Sequence, residues 1–252
     1  MGDTGDLRAV YPSLRGKRVL ITGGGSGIGA GIVEAFAAQQ AEVIFIDILN
    51  GESDALAQRT GAGFERVDLK DIAATTGSIG KLVEQDGPFH ILVNNAANDD
   101  RHKFDEVSED YWDDRLAVNL KHQFFCAQAV TPGMRSIGGG AIVNMGSISW
   151  HLALPDLVLY QTCKAAIEGL TRALARDLGE DNIRVNCVVP GNIRTPRQMQ
   201  WYTPEGEAAI VDAQCIKCRL EPSDVAALVT FLASDEARGM TGHEYFVDAG
   251  WR

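Results

Sequence analysis

Positive charge is the first thing this sequence is short of. Its 252 residues carry 23 Lys and Arg against 34 Asp and Glu, a net charge of −11, with no long basic run. Nucleic-acid backbones and anionic membranes both need a positive footprint, so neither is expected as the main partner. Long apolar runs are missing too: no stretch approaches 18 uninterrupted apolar residues, and nothing is expected to span a membrane. The opening MGDTGDLRAV is polar and has no apolar centre, unlike a secretory leader. It begins Met-Gly, but Asp6 stands where a myristoylation signal needs Ser or Thr. A cytoplasmic protein is expected. Cysteine is scarce and odd in number, with five at 126, 163, 187, 215 and 218. Most lie in apolar patterns and read as buried free thiols. Cys215 and Cys218 have CxxC spacing, yet no second CxxC or nearby histidine completes four zinc ligands, so no metal site is expected.

What the chain does have is alternation. Short apolar runs recur as KRVLI (17–21), EVIFID (42–47), FERVDL (64–69), HILVNN (90–95), AIVNM (141–145), IRVNCVV (183–189) and EYFV (244–247). Helical patterns separate them, among them GIGAGIVEAFAAQQ, IAATTGSIGKLVEQ and YQTCKAAIEGLTRALARDL. Strands alternating with helices over the whole length predict a parallel sheet covered on both faces. The fold expected is a single α/β domain over residues 1–252, doubly wound in the Rossmann manner around seven strands. A short N-terminal arm (1–13) precedes it. In such sheets ligands bind beyond the carboxyl ends of the strands, and the chemical motifs fall just after those ends.

LITGGGSGIGAGI joins the first strand to a helix. Gly23, Gly27 and Gly29 are spaced so that bare backbone can approach a pyrophosphate, with the helix N–H groups facing the anion. Asp47 ends the second strand near the distance expected of a ribose-binding acid. Its carboxylate would repel a 2′-phosphate, and neither Ile48 nor Gly24-Gly25-Ser26 offers a cation, so NAD is expected over NADP. Asp68 suits either the adenine amino group or a plain turn or helix cap.

Ser147, Tyr160 and Lys164 follow the fifth strand, with 160 and 164 one turn apart if 157–178 is helical. Spacing alone proves little, since Tyr11/Arg15 and Tyr111/Arg115 repeat it and read as ordinary surface pairs. Chemistry discriminates better. Forming a tyrosine phenolate at pH 7 costs ~4 kcal/mol. A cation about 4 Å away at an effective dielectric of ~20 contributes ~4 kcal/mol of attraction. Lys164, together with a positive nicotinamide, would make Tyr160 a usable base.

TGGGSGIG, Asp68, NNAA (94–97), Asn119, Ser147, YQTCK and PGNIRT (190–195) together resemble the short-chain dehydrogenase/reductase family, from about residue 14 to the C-terminus. That resemblance implies the strand order 3-2-1-4-5-6-7 and a homotetramer. It makes Asn119, Ser147, Tyr160 and Lys164 a catalytic tetrad. Tyr160 would be the acid/base, Ser147 would polarise the substrate oxygen, Lys164 would bind the nicotinamide ribose, and Asn119 would support a relay water. It also implies that Ser26, Ile28, Leu69, Asn95, Pro190, Gly191, Ile193 and Thr195 line the cofactor site. Ala97 departs from the glycine usual there.

Family membership does not choose a substrate. Trp150, Trp201 and Trp251 lie after strands or near the C-terminus, and two accounts stay open. In one, Trp201 packs a mobile lid (about 192–217) and Trp251 a subunit interface. In the other, indole faces and Asn98, His151 and Asn192 form a small polyol pocket. Longer stretches such as GSISWHL and TGHEYFVDAGWR resemble the family's aldose 1-dehydrogenases. They imply oxidation of an aldopentose, D-xylose foremost, at C1 to its lactone. L-arabinose, D-galactose or L-fucose oxidation, 3-oxoacyl or ketone reduction, and a non-catalytic NAD-binding regulator are the alternatives.

Overall fold

The computed structural model describes residues 9–252; residues 1–8 of the expected arm lie outside them. Seven strands form one parallel sheet in the order β3-β2-β1-β4-β5-β6-β7. They are β1 (Arg18–Thr22), β2 (Glu42–Asp47), β3 (Gly63–Arg66), β4 (Ile91–Asn94), β5 (Gly140–Met145), β6 (Ile183–Pro190) and β7 (Glu244–Val247). Six match the apolar runs to within a residue or two. β3 stops at Arg66, short of the expected 69, because a turn closed by Asp71 N–H on the Asp68 carbonyl (3.0 Å) ends it.

Strand side chains alternate between two layers, as a pleated sheet requires. Val19 and Ile21 join one apolar cluster with Ile32 and Phe36 of α1 (Gly27–Ala38) and Val225 and Val229 of α9 (Pro222–Ala233). Leu20 faces the other way. It packs with Ile79 of α3 (Ile72–Asp86) and with Cys126 and Val130 of α5 (His122–Ser136). Each fully buried aliphatic side chain contributes on the order of 1.5–3 kcal/mol, so both faces of the sheet need their helical cover.

The remaining helices are α2 (Gly51–Thr60), α4 (Glu109–Leu116), α6 (Val158–Leu178), α7 (Pro196–Met199) and α8 (Pro204–Ala213). A π-helical turn, Ala117–Lys121, joins α4 to α5. Among the described residues no helix is long and apolar enough to cross a membrane. The strand order reverses between β1 and β4, which opens a crevice at their carboxyl ends. The glycine loop, Asp47, the NNAA segment and Ser147 lie at the carboxyl ends of β1, β2, β4 and β5.

Candidate active site

The glycine loop is built by close approach. Gly23 sits at φ +65°, and a Cβ there would lie 2.6 Å from Ala96 Cα; one on Gly29 would lie 1.9 Å from the Gly23 carbonyl. Only glycine fits either place. Ser26 enters α1 in an extended conformation and makes no side-chain cap. By contrast, α3, α4, α7 and α8 are capped by Asp71, Ser108, Thr195 and Thr203. The first-turn N–H groups of α1 are therefore left for an anion, as a pyrophosphate needs. Gly27 and the half-buried Ile28 form that turn. Thr195 overlies it, its Cγ2 lying 3.2 Å from the place of a Gly27 Cβ.

Asp47 is nearly buried, and its carboxylate is held by three N–H groups: Gly25 (2.8 Å), Ile48 (2.7 Å) and Leu49 (3.0 Å). One residue thus ties β2 to the glycine loop while presenting an acid beside it. The arrangement would fit a dinucleotide, with the uncapped helix to face its phosphates and Asp47 its adenosine ribose. Asp68 is exposed, and its Oδ1 accepts the Lys70 N–H at 3.0 Å, which is a turn geometry; the helix cap is Asp71. Leu69 beside it is buried.

The NNAA segment clamps the loop from the other side. Asn95 Nδ2 donates to the carbonyls of Thr22 (3.1 Å) and Gly23 (2.8 Å). Ala97 is exposed and is not among the residues with positive φ, so its methyl costs no backbone strain. Asn119 is fully buried in the π-helical turn. Its Oδ1 accepts the Asn98 N–H (2.8 Å), and its Nδ2 donates to the carbonyls of Asn98 and Arg115 (both 3.0 Å). A π turn is costly and recurs where helices carry function. Next to it His122 is wholly buried and donates from Nε2 to the Ala96 carbonyl at 3.1 Å. Burial holds its pKa down, to about 4, so it stays neutral.

Ser147 leaves β5, and Tyr160 and Lys164 share a face of α6 as expected. The Ser147 hydroxyl donates to Ser149 Oγ (3.0 Å) and accepts the Ser149 N–H (3.1 Å). Lys164 is 2% exposed and donates to the Met145 carbonyl at 2.8 Å. Its Nζ lies 5.4 Å from the centre of the Tyr160 ring. Burial lowers the lysine pKa to about 8. The Tyr160 phenol is pushed up, first by burial and then by the Asp99 carboxylate, with Ser147 and Arg197 pulling back. In the chain by itself burial outweighs the neighbouring charges, and the expectation for Tyr160 already paired Lys164 with a positive nicotinamide.

On the expected substrate side, the residues of the polyol-pocket account have partners within the chain. Trp150 Nε1 and His151 Nε2 both bond Glu168 Oε1, at 2.9 and 3.0 Å. The two rings stack at 3.7 Å, and His151 meets Phe246 of β7 edge-on at 5.2 Å. Trp150 Nε1 and His151 Nε2 are thus directed at α6. Asn192 donates to Tyr202 Oη (2.5 Å) and accepts from Arg219 (3.0 Å), so it braces the lid segment. Trp201 is 74% exposed. Trp251 packs on its own chain's Ile148, Ile167, Cys187 and Val189. Asn98 is turned to Asn119 by its backbone, and its Oδ1 accepts the Asp100 N–H (2.8 Å). Pro190 is buried at the end of β6; Gly191 donates to the Val247 carbonyl (2.8 Å), and buried Ile193 bridges to Leu220.

Three further details come from the fold. Cys126, Cys163 and Cys187 are buried, but Cys215 and Cys218 are exposed, because they fall in the irregular link after α8. Arg115 is not an ordinary surface residue: its side chain is 12% exposed and bonds Asp114 and Asp100. Glu168 was missed, although Tyr160, Lys164 and Glu168 recur every four residues on one helix face.

A glycine-led, uncapped helix on a parallel sheet, with Asn, Ser, Tyr and Lys at the adjoining rim, defines a dinucleotide-dependent oxidoreductase. The chain belongs to the short-chain dehydrogenase/reductase family. Residues 23–252 match the family model described as "Enoyl-(Acyl carrier protein) reductase". The chain is 60% identical to the D-xylose 1-dehydrogenase of Caulobacter vibrioides, over 97% of this chain and 99% of that one. It is 45% identical to a protein of Rhizobium meliloti assigned as a galactose dehydrogenase, over 95% and 96%. A solved structure from Sinorhizobium meliloti, titled as a short-chain alcohol dehydrogenase, superposes with a TM-score of 0.88 at 34% identity, covering 96% and 98%.

Proposed function

We propose that this protein oxidises an aldopentose, D-xylose foremost, at C1 to its lactone with NAD. The observation that carries the substrate is the end-to-end likeness to the Caulobacter enzyme, 60% over 97% of the chain. NAD over NADP is supported by Asp47, whose carboxylate is pinned by three N–H groups at the ribose end and would repel a 2′-phosphate.

Bound NAD supplies the hydride acceptor. Tyr160 accepts the proton of the C1 hydroxyl as C1 is oxidised. Ser147 holds the same oxygen by a hydrogen bond and keeps it within reach. Lys164 has one N–H on Met145 and two left for the nicotinamide ribose. Asn119 braces the β4 loop through Asn98 and serves the relay water. The active unit is a homotetramer, in keeping with the family.

A second reading, reduction of an acyl or cyclic ketone, is favoured only by the matched family model's description. The test is NADH formation at 340 nm from a panel of pentoses and hexoses, run with NAD and NADP. Turnover of D-xylose with NAD, and little with NADP, is expected. Asp47→Ala should narrow the NAD preference at least tenfold. Silence on every sugar alongside reduction of 3-oxoacyl substrates would replace the first reading with the second.

A further inference from the structure

Across the crevice from the glycine loop, two consecutive carboxylates grip α7. Asp99 Oδ1 accepts from Arg197 Nε at 2.9 Å, and its Oδ2 accepts from Gln198 Nε2 at 2.8 Å. Asp100 Oδ1 accepts from Arg197 Nη2 at 2.6 Å, and its Oδ2 from Arg115 Nη1 at 3.2 Å. One guanidinium thus spans both acids, a use its flat fork of donors suits and a lysine would not match. None of these five side chains has a part in the proton and hydride transfer derived above.

Asp99 and Asp100 are joined to the tetrad by two routes. Asn98, the residue before them, exchanges both backbone hydrogen bonds with the Asn119 side chain, at 2.8 and 3.0 Å. Arg115, which holds Asp100 by its guanidinium, gives its carbonyl to Asn119 Nδ2 at 3.0 Å. At the other end of the grip, Thr195 caps α7 through the Gln198 N–H (3.3 Å), and its methyl overlies Gly27. The segment 192–217 is therefore tied to Asn119 at one side of the crevice and to the phosphate end of the cofactor site at the other.

The strength of the tie suits a closure that must reopen. The side chains of Arg197 and Asp100 are 50% and 51% exposed, and that of Asp99 is 31%. Ion pairs so exposed are individually weak and are screened by salt. A lid that gates substrate entry and product release needs contacts of that kind, since a buried clamp would hold product in.

We propose that Arg197 is a positioning residue: by bridging Asp99 and Asp100 it makes closure of the 192–217 segment and placement of Asn119 a single event. The inference rests on the dehydrogenase reading and deepens it, assigning the latch to residues outside the tetrad. It also accounts for an electrostatic neighbour of the phenol. The Asp99 carboxylate works against Tyr160 ionising and Arg197 works for it, so an engaged latch cancels an unfavourable charge beside the base.

The test compares the full-length protein with Arg197→Gln and Arg197→Lys. Arg135→Gln, which breaks a pair with Asp181 (2.6 Å) beside the amino ends of β5 and β6, is the control. In Arg197→Gln the sugar KM should rise about tenfold, a loss of ~1.4 kcal/mol, while the NAD KM stays within about twofold. Arg197→Lys should recover part of the loss. The wild-type sugar KM should climb between ~0.05 and ~0.5 M salt, and that of Arg197→Gln should be flat. Amide hydrogen exchange should quicken in residues 192–217 and also in 94–100 and 115–122. Faster exchange confined to 192–217, or a salt-independent wild-type KM, would overturn the latch. If no sugar is oxidised but exchange is coupled as stated, the substrate reading falls and the latch stands.

Discussion

Lys164 is the residue at which chemistry and stability pull apart. An ammonium 2% exposed, with a single carbonyl partner, is costly to hold, and its pKa falls to about 8 for that reason. The folded state therefore binds fewer protons than the unfolded chain between about pH 8 and the ordinary lysine pKa. Stability must rise with pH through that window and carry the full penalty below it. That penalty is on the order of 3 kcal/mol at pH 7. Lys164→Met removes it and loses one hydrogen bond of about 1 kcal/mol. The variant, inactive, should melt about 5 °C higher than wild type at pH 7 without cofactor. The gap should narrow as pH rises from 8 to 10; calorimetry at those pH values checks it. Tyr160→Phe, which keeps the ring and loses the proton acceptor, should lower kcat by 10²–10⁴ and leave NAD affinity unchanged by fluorescence titration. Both residues stand out in the sequence, as does their helical spacing. The direction of the Tyr160 shift did not, because burial and the Asp99 carboxylate belong to the folded surroundings and not to the spacing.

At the scale of elements, α6 does more than carry Tyr160 and Lys164. One turn beyond Lys164, Glu168 receives Trp150 and His151, so the loop that follows β5 is fastened to the same helix that bears Tyr160. Ser147, at the head of that loop, takes its position from this anchor. Glu168→Gln keeps the size but turns half of a good acceptor into a donor. It should lower kcat/KM for the sugar about tenfold with little change in NAD affinity, since no contact of Glu168 reaches the glycine loop; steady-state kinetics and NAD titration separate the two. An unchanged kcat/KM would mean that Ser147 holds its place through Ser149 alone. The π-helical turn at 117–121 is the other element that decides the site, setting Asn119 inward against Asn98. Apolar periodicity does not mark this turn, because a π turn leaves the pattern almost intact and depends on which carbonyls the surrounding chain engages.

For the whole molecule, apolar groups left in solvent are the informative feature. Phe104, Trp112, Phe124 and Val158 are exposed on and just before the consecutive helices α4, α5 and α6, at 76%, 43%, 42% and 45%. Large apolar side chains left in solvent on successive elements suit an association surface, in keeping with the homotetramer proposed above. Light scattering should give about four times the 27.2 kDa chain mass. Trp112→Glu together with Phe124→Glu should lower that mass; a chain monomeric before any substitution would sink the proposal.

The alternation of strands and helices, the glycine loop, Asp47 and the Ser147/Tyr160/Lys164 set were all determined by the sequence itself. Each rests on local rules: a period of two or 3.6, a position only glycine can occupy, or a side-chain chemistry that few residues share. Even the boundary of β3 departs from expectation by only three residues. What the tertiary structure alone decided are the pairings between distant segments: Glu168 with Trp150 and His151, Asp99 with Arg197 nearly a hundred residues on, and Asn192 with Arg219. His151 and Asn192 have the right chemistry for a sugar pocket, and the folded chain also gives them carboxylate, hydroxyl and guanidinium partners. Residue type says what a group can bond; only the packed chain decides which partner comes within 3 Å, because that distance is set by the sheet order and by helices that meet across it.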